Sequence, residues 1–484
     1  MVYHHVSRRT FLLGTGGAAT LLLTGCGSTS DPISTAGTLD FANSLNIPPL
    51  APSTVATNGT RVFKLTAEAG SSRFLPGGRT PTWGYNGAFL GPTLRARRGE
   101  TVRVAIENAL EEATTVHWHG MHLPAIYDGG PHQVIAPGDE FAPEWTLDQP
   151  AATLWYHPHV HGQTEEQMTR GLAGMFIVDS DGADQGLPGE YGVDDIPLIV
   201  QDRAFEDDRT FTTTSDAQTG LLGDTMLING TVNPHFSVTT ETVRLRLLNA
   251  ATARVFNFGF SDNREFTVIG SDGGLLPAPV AVERLLLSPG ERAEIVVRFQ
   301  PGEQPVLQSF AQELGMSEKF NNEAGGNDVL DLLQFRAAAR LAAAPGLPLT
   351  LATLEPPALE ASVATRSFIL KGMYINGKLM DMSRIDATVG AGTTEIWNVS
   401  NTDSQPHNFH VHGVQFRILD INGAEPGPEF SGWKDTVFLP VRASARIALM
   451  FGPYTDPTTA YMYHCHFIRH ADHGMMGQFT VIES

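Results

Sequence analysis

Val243-Arg244-Leu245-Arg246-Leu247-Leu248, closed by Asn249, opens by alternating apolar and cationic side chains with a period of two. A strand with one face on a core needs that alternation, because successive side chains leave opposite faces of a sheet. The pattern occurs twice more, as Thr101-Val102-Arg103-Val104-Ala105-Ile106 ending at Asn108 and as Thr394-Glu395-Ile396-Trp397-Asn398-Val399 ending at Asn401. An Asn-Gly turn signal precedes each copy, at Asn86-Gly87, Asn229-Gly230 and Asn376-Gly377. A further strand pattern follows each copy: Glu144-Trp145-Thr146-Leu147 after Pro137-Gly138, Glu294-Ile295-Val296-Val297 after Pro289-Gly290, and Ile447-Ala448-Leu449-Met450 after Pro440. One unit of short strands and marked turns, repeated three times, predicts an all-β chain of three Greek-key β-sandwich domains. The 484 residues agree with this, at roughly 100–200 residues per domain. The expected domains span residues 46–182, 190–340 and 350–484.

The first and third units also end alike. Trp155-Tyr156-His157-Pro158-His159 with Gly171-Leu172-Ala173-Gly174 parallels Met462-Tyr463-His464-Cys465-His466 with Gly474-Met475-Met476-Gly477. From His464 to Met475 the chain offers one thiolate, three imidazoles (His464, His466, His470) and a thioether. Copper accepts that mixture: Cys with two His and a weak axial Met suits blue copper, whereas structural zinc prefers Cys and His alone. On a strand, His464 and His466 would point away from Cys465, placing one metal site on each side. Three further His-x-His pairs lie upstream, at His117/His119, His157/His159 and His410/His412, with His407 just ahead of the last. Pro158 stands where Cys465 would be, so the first unit has no thiolate. The second has one histidine, His235, and reads as a spacer without copper. Metal sites are therefore expected inside the third domain and between the first and third.

These motifs, complete and in order, resemble the multicopper oxidases, the family of laccases, bilirubin oxidases and bacterial copper efflux oxidases. The resemblance covers nearly the whole chain beyond the leader and implies cupredoxin-like domains. It implies four copper ions: a blue (type 1) ion at His407, Cys465, His470 and Met475, a type 2 ion at His117 and His410, and a binuclear type 3 pair. His119, His157 and His466 would hold one member of the pair, and His159, His412 and His464 the other. A His-x-His pair can also clasp a single ion, so spacing alone leaves that division open. The implied activity couples one-electron oxidation of small donors, phenols or aromatic amines as in laccases, to four-electron reduction of O2 to water. The alternative is a metallo-oxidase for cuprous or ferrous ions. Copper efflux oxidases often carry a long Met-rich insert, and nothing of that length occurs here. Some relatives exported by the same route have lost their ligands, whereas here the set is intact.

Asp128, in Tyr127-Asp128-Gly129-Gly130, matches the family's acidic residue for proton delivery; as a bare sequence feature it is equally a turn residue before Gly-Gly. The family often has a second carboxylate after the last blue-copper histidine, where this chain has Ala471 and then Asp472. Asp403, four residues before His407, could face substrate or cap a turn. His122, His132, His161 and His473 fall outside the matching positions. Met476 reads as core, and Met373, Met380 and Met382 as core fillers.

The formal charge is −20, and removing a leader whose only charges are Arg8 and Arg9 makes the remainder two units more negative. Nucleic-acid binding is thereby disfavoured. Ser7-Arg8-Arg9-Thr10-Phe11-Leu12 resembles a twin-arginine export signal over residues 1–25, and Leu23-Thr24-Gly25-Cys26 a lipoprotein cleavage box. Cys26 would then carry the lipid anchor of a periplasmic or envelope protein, its only link to the membrane. Residues 26–45 read as a tether, 308–328 as a surface loop, and 337–357 as a linker into the third domain.

Overall fold

A computed structural model describes residues 31–179, 182, 186–215, 217–355 and 357–484. The leader and Cys26 lie outside the described residues. Among the described residues the chain is nearly all β, and the strands form six sheets stacked as three two-sheet units. In each unit the repeated strand runs parallel to an earlier one: Thr101–Asn108 beside Arg61–Ser72, Thr242–Asn249 beside Asp195–Arg203, and Thr394–Asn401 beside Ala364–Lys371. Antiparallel neighbours on the other side are Glu144–Thr146, Arg292–Arg298 and Ser444–Met450. Each unit encloses its own core, with Trp118 and Phe176 in the first, Phe258 and Phe335 in the second, and Trp397 and Phe409 in the third.

Both asparagines of the repeat have structural work. Asn86, Asn229 and Asn376 hold positive φ (55°, 51° and 53°), a conformation Asn tolerates better than most residues. Each side chain then mimics a strand neighbour: Asn229 Oδ1 accepts from the Ile199 N–H at 2.8 Å while its Nδ2 donates to Pro197 O at 2.8 Å. The terminal asparagines Asn108, Asn249 and Asn401 are buried and tie down the corner that follows. Asn249 Nδ2 donates to Arg254 O and Leu287 O, both at 2.9 Å, and its Oδ1 accepts from Ala251 N–H at 3.0 Å.

The alternation is decoded differently in the three copies. In Thr101–Asn108, Val102, Val104 and Ile106 are buried while Arg103 and Glu107 are exposed. In Thr242–Asn249 every residue is buried, including Arg244 and Arg246, because the outer face packs on the first unit. Arg246 pairs with Asp195 at 2.6 Å and Glu294 at 2.9 Å, and donates to Thr153 Oγ1 at 2.9 Å.

Three sequence expectations need correction. The described part of the tether, 31–45, is docked: Ile33 N–H donates to Asp328 Oδ1 at 2.7 Å, Thr35 N–H to Val329 O at 2.9 Å, and Asn43–Ser44 pairs with Pro234–His235. Its composition is that of a tether, but its anchors are mainly backbone groups meeting a sheet edge, with Phe41 and Leu45 buried. The loop 308–328 contains the helix Glu318–Glu323, and its buried Asn321 donates to Gln312 O at 3.0 Å. The linker begins late, because the strand Leu330–Ala342 runs on parallel to Pro234–Thr240, which carries its alanines into the sheet.

Replacing Asn249 by Ala leaves two buried carbonyls without a donor, so it should lower unfolding stability by about 2–3 kcal/mol. Chemical denaturation of the variant would read this, and a loss below roughly 0.5 kcal/mol would remove the corner role.

Candidate metal centres

His117–His119 is a short strand antiparallel to Ala152–His157, with His117 opposite His157. His407–Val411 is antiparallel to Asp456–His464, with His410 opposite His464. Period two puts His117 and His119 on one face while Trp118 enters the core of its unit, and Val411 separates His410 from His412 in the same way. Cys465 and His466 lie just beyond the strand, which stops at His464. The seam between the first and third units thus collects His117, His119, His157, His159, His410, His412, His464 and His466, all buried.

On the third unit's side of Cys465 a smaller group forms. Its Sγ lies 3.6 Å from His407 Nδ1 and 3.5 Å from His470 Nδ1, and the two Nδ1 atoms are 3.1 Å apart. The outer edges of these rings are fixed: His407 Nε2 donates to Asp403 Oδ2 at 3.1 Å and His470 Nε2 to Gln218 O at 2.9 Å. Met475 is fully buried, and its carbonyl accepts from Cys465 N–H at 3.2 Å. Burial pushes the Cys465 thiol up to about 12 and His470 down to about 3, so without a cation neither group carries charge near neutral pH.

Three domain models described as multicopper oxidase match residues 66–183, 200–323 and 351–484. The chain belongs to the multicopper oxidase family. It is 34% identical to multicopper oxidase mco of Staphylococcus haemolyticus, over 91% of this chain and 92% of that protein. It is 36% identical to cell division protein FtsP of Xenorhabdus nematophila, over 90% and 92%. Among solved structures, the laccase-like multi-copper oxidase of Ochrobactrum sp. is 39% identical, with a TM-score of 0.82, covering 90% of this chain and 100% of its own. The metallo-oxidase of Campylobacter jejuni is 26% identical, with a TM-score of 0.80, covering 94% and 98%.

The cluster of this multicopper oxidase has the chemistry that its family's metal requires. His159 Nε2 and His412 Nε2 each lie 3.1 Å from His464 Nε2, and His119 Nδ1 lies 3.4 Å from His157 Nε2. Outward nitrogens donate to fixed acceptors: His117 Nδ1 to Asp128 O at 2.9 Å, His410 Nδ1 to Asp435 O at 2.8 Å, His157 Nδ1 to Pro158 O at 2.8 Å and His464 Nδ1 to Cys465 O at 3.0 Å. The inward nitrogens His117 Nε2 and His410 Nε2, and both nitrogens of His466, are buried without a partner. Neutral imidazoles with converging lone pairs and orphaned inner nitrogens fit copper. The geometry does not divide the ligands by itself, since His117 lies within reach of both His119/His157 and His410/His412.

Asp128 is buried between two of these rings. Its Oδ2 accepts from His412 Nδ1 at 2.7 Å and its carbonyl accepts from His117, and burial pushes its carboxyl well above the usual carboxylate range. Asp472 faces elsewhere, accepting from Thr164 N–H at 3.1 Å and Glu165 N–H at 2.8 Å. His132 donates to Gln478 Oε1 at 2.7 Å, His161 and His473 are exposed, and His235 donates to Phe41 O at 2.9 Å.

Sequence reading missed Asn408 and Asp435. Asn408 Oδ1 accepts from His466 N–H at 2.5 Å and lies 3.6 Å from Cys465 Sγ, while its Nδ2 donates to Pro289 O at 2.8 Å in the second unit. Asp435 Oδ1 accepts from His119 Nε2 at 2.9 Å. The signal was present: Lys434-Asp435 is a charged pair beside the apolar strand Thr436–Leu439, and both residues are buried.

Burial holds His117, His119, His157, His159, His412, His464 and His466 well below their usual range. Unfolded histidines titrate near 6.5, so below that pH the unfolded chain binds more protons than the folded one. Stability of metal-stripped protein is therefore fully present above about pH 6.5 and falls as pH drops toward the folded values. The slope is about 1.4 kcal/mol per pH unit for each ring protonated only on unfolding. Melting curves of the stripped protein from about pH 8 to about pH 5 should show Tm declining only below about 6.5. A Tm flat across that range would contradict the buried neutral rings.

Proposed function

We propose that this oxidase holds four copper ions and couples one-electron oxidation of phenolic or aromatic-amine donors to reduction of O2 to water, as laccases do. The observation that carries the reading is Cys465 lying against His407 and His470 while its chain neighbours His464 and His466 enter the histidine cluster. His407, Cys465, His470 and Met475 would hold a blue ion, and His117 with His410 a type 2 ion. His119, His157 and His466 would hold one member of a type 3 pair, and His159, His412 and His464 the other. Copper at the first set supplies one-electron oxidation of the donor, and copper at the histidines supplies four-electron reduction of oxygen.

The chain itself supplies orientation and protons. Asp403 fixes the His407 ring, and the His407 N–H holds the Asp403 carboxyl well below the usual range. Asp403 is partly exposed, so a donor can approach the blue site along that edge. The protein works outside the cytoplasm, exported by its twin-arginine leader and held by a lipid on Cys26. Its partners are a small donor and O2.

One observation favours the metallo-oxidase reading. Met380 N–H donates to Gly474 O at 2.8 Å, on the loop between His470 and Met475, and Met382 close by is exposed, giving a thioether that suits cuprous ion, while the Met380 side chain packs on Met462, Ala471 and Met476. A role in cell division, as in the name of the FtsP relatives, would not by itself call for the set of histidines, cysteine and methionine that this chain carries. A bulky phenol should turn over faster than cuprous ion, and Cys465→Ser should abolish both the blue colour and the turnover. The reverse ranking favours the metallo-oxidase, and a blue Cys465→Ser protein defeats the assignment altogether.

Asp128 is the proposed proton donor. Committed imidazoles cannot release protons, and Asp128 is a carboxyl kept protonatable by burial beside His412. Asp128→Asn should lower steady-state turnover by roughly 10²-fold. With copper content verified, the blue colour should still bleach with donor under nitrogen at near wild-type rate and return slowly on admitting oxygen. Recovery at wild-type speed would leave Asp128 as a purely structural residue.

A further inference from the structure

We propose that Arg292, in the unit that carries no ligand, is a positioning residue of the histidine cluster, acting through Asp435 on His119 of the first unit and His410 of the third. This rests on the ligand reading above. Arg292 is completely buried, and its five N–H donors are all engaged, across all three units. Nη1 and Nη2 fork onto Asp435 Oδ1 and Oδ2 at 2.8 and 2.7 Å, in the third unit. Nε donates to Thr153 O at 3.0 Å, in the first, and the remaining donors reach Gly290 O at 3.1 Å and Asp272 O at 2.8 Å, in the second. A planar fork spent this way permits one orientation of the carboxylate it grips.

Asp435 meets two rings, His119 through the gripped carboxylate and His410 through the main-chain carbonyl, with Oδ1 3.4 Å from His410 Nδ1 as well. Its Oδ1 accepts from His119 Nε2 at 2.9 Å, which keeps the proton there and leaves Nδ1 facing His157. Its carbonyl accepts from His410 Nδ1 at 2.8 Å, which leaves Nε2 facing inward. The two rings stack at 3.7 Å with 12° between their planes. Partners on the outer nitrogen of a metal-binding histidine commonly set its tautomer and ring direction.

The surroundings are cut to fit this contact. A Cβ on Gly120, which follows His119, would come within 2.6 Å of Arg292 Nη2 and 2.7 Å of Asp435 Oδ2. The turn bearing Arg292 touches the site twice more: a Cβ on Gly290 would meet the His466 ring at 3.0 Å, and Ser288 Oγ and Pro289 O accept from Asn408. The corresponding Pro137-Gly138 turn of the first unit is open, with no atom within 4 Å of a Cβ on Gly138. The same repeated turn is thus packed against the cluster in the unit that has no copper ligands of its own.

The test compares wild type, Arg292→Met, Arg292→Lys and Arg246→Met. Arg246 is also a buried arginine between units, but its ion-pair partners Asp195 and Glu294 touch no cluster histidine. Copper per chain, the blue absorption band, the EPR signal of the non-blue copper and Tm are measured on each. Arg292→Met should keep the blue band, shift the non-blue EPR signal and lose cluster copper to a chelator at about 10–100-fold lower concentration. Arg292→Lys, which keeps the charge without the fork, should shift the same signal to a smaller extent, and it decides the matter if Arg292→Met does not fold. Arg246→Met should lower Tm with the EPR signal unchanged. An unchanged non-blue signal in Arg292→Met, or in Arg292→Lys where only that variant folds, overturns the proposal. So does an equal shift in Arg246→Met, which would mean general loosening. Wild-type protein that takes up blue copper alone overturns the ligand reading instead, and the role of Arg292 with it.

Discussion

Eight buried imidazoles share one seam, and several of their inner nitrogens have no protein partner. Protonation of His117, His119, His157, His159, His412, His464 and His466 is disfavoured by burial and by the repulsion of positive charges so close together. The outer nitrogens are tied to carbonyls and carboxylates of Asp128, Pro158, Asp435 and Cys465, so most rings cannot turn away. A cation is the relief that remains, and with it the seam becomes an attraction between the first and third units. Metal affinity and domain docking are then one equilibrium.

That equilibrium needs the two units held in register before the metal arrives. The second unit contributes buried charge at both of its borders. Arg246 with Asp195 and Glu294 faces the first unit, while Lys434 of the third unit pairs with Asp272 at 2.9 Å and Glu291 at 3.0 Å. Buried ion pairs add little net stability when desolvation is counted, but a misplaced partner leaves an uncompensated charge and costs several kcal/mol. Their effect is specificity of placement. The second unit, which touches both of the others, works here as a jig.

Relatives at about one-third identity bear names as different as multicopper oxidase and cell division protein. The fold accommodates both, so function has to be argued from the site and not from the fold. In this chain each of the twelve residues proposed as copper ligands is a histidine, a cysteine or a methionine, and each of them is buried.

The sequence by itself determined the family and the repeat. Period-two strands, marked turns and dense His-x-His pairs are local patterns, and local patterns survive without coordinates. It also showed Pro158 in the place that Cys465 holds in the third unit, and a second unit with one histidine. It did not reveal which polar residues face inward, because Arg103 and Arg244 hold the same place in the repeated strand yet one is exposed and the other buried. Only docking between units decides that. The same holds for residues 31–45, whose composition is that of a tether and whose backbone is pinned to a sheet edge. Asp435 and Arg292 lie 143 positions apart and meet in a bidentate pair beside His119. No spacing rule reaches that far. The tertiary structure decided it, because burying a charge demands a partner, and the partner is whichever opposite charge the packed units bring within 3 Å.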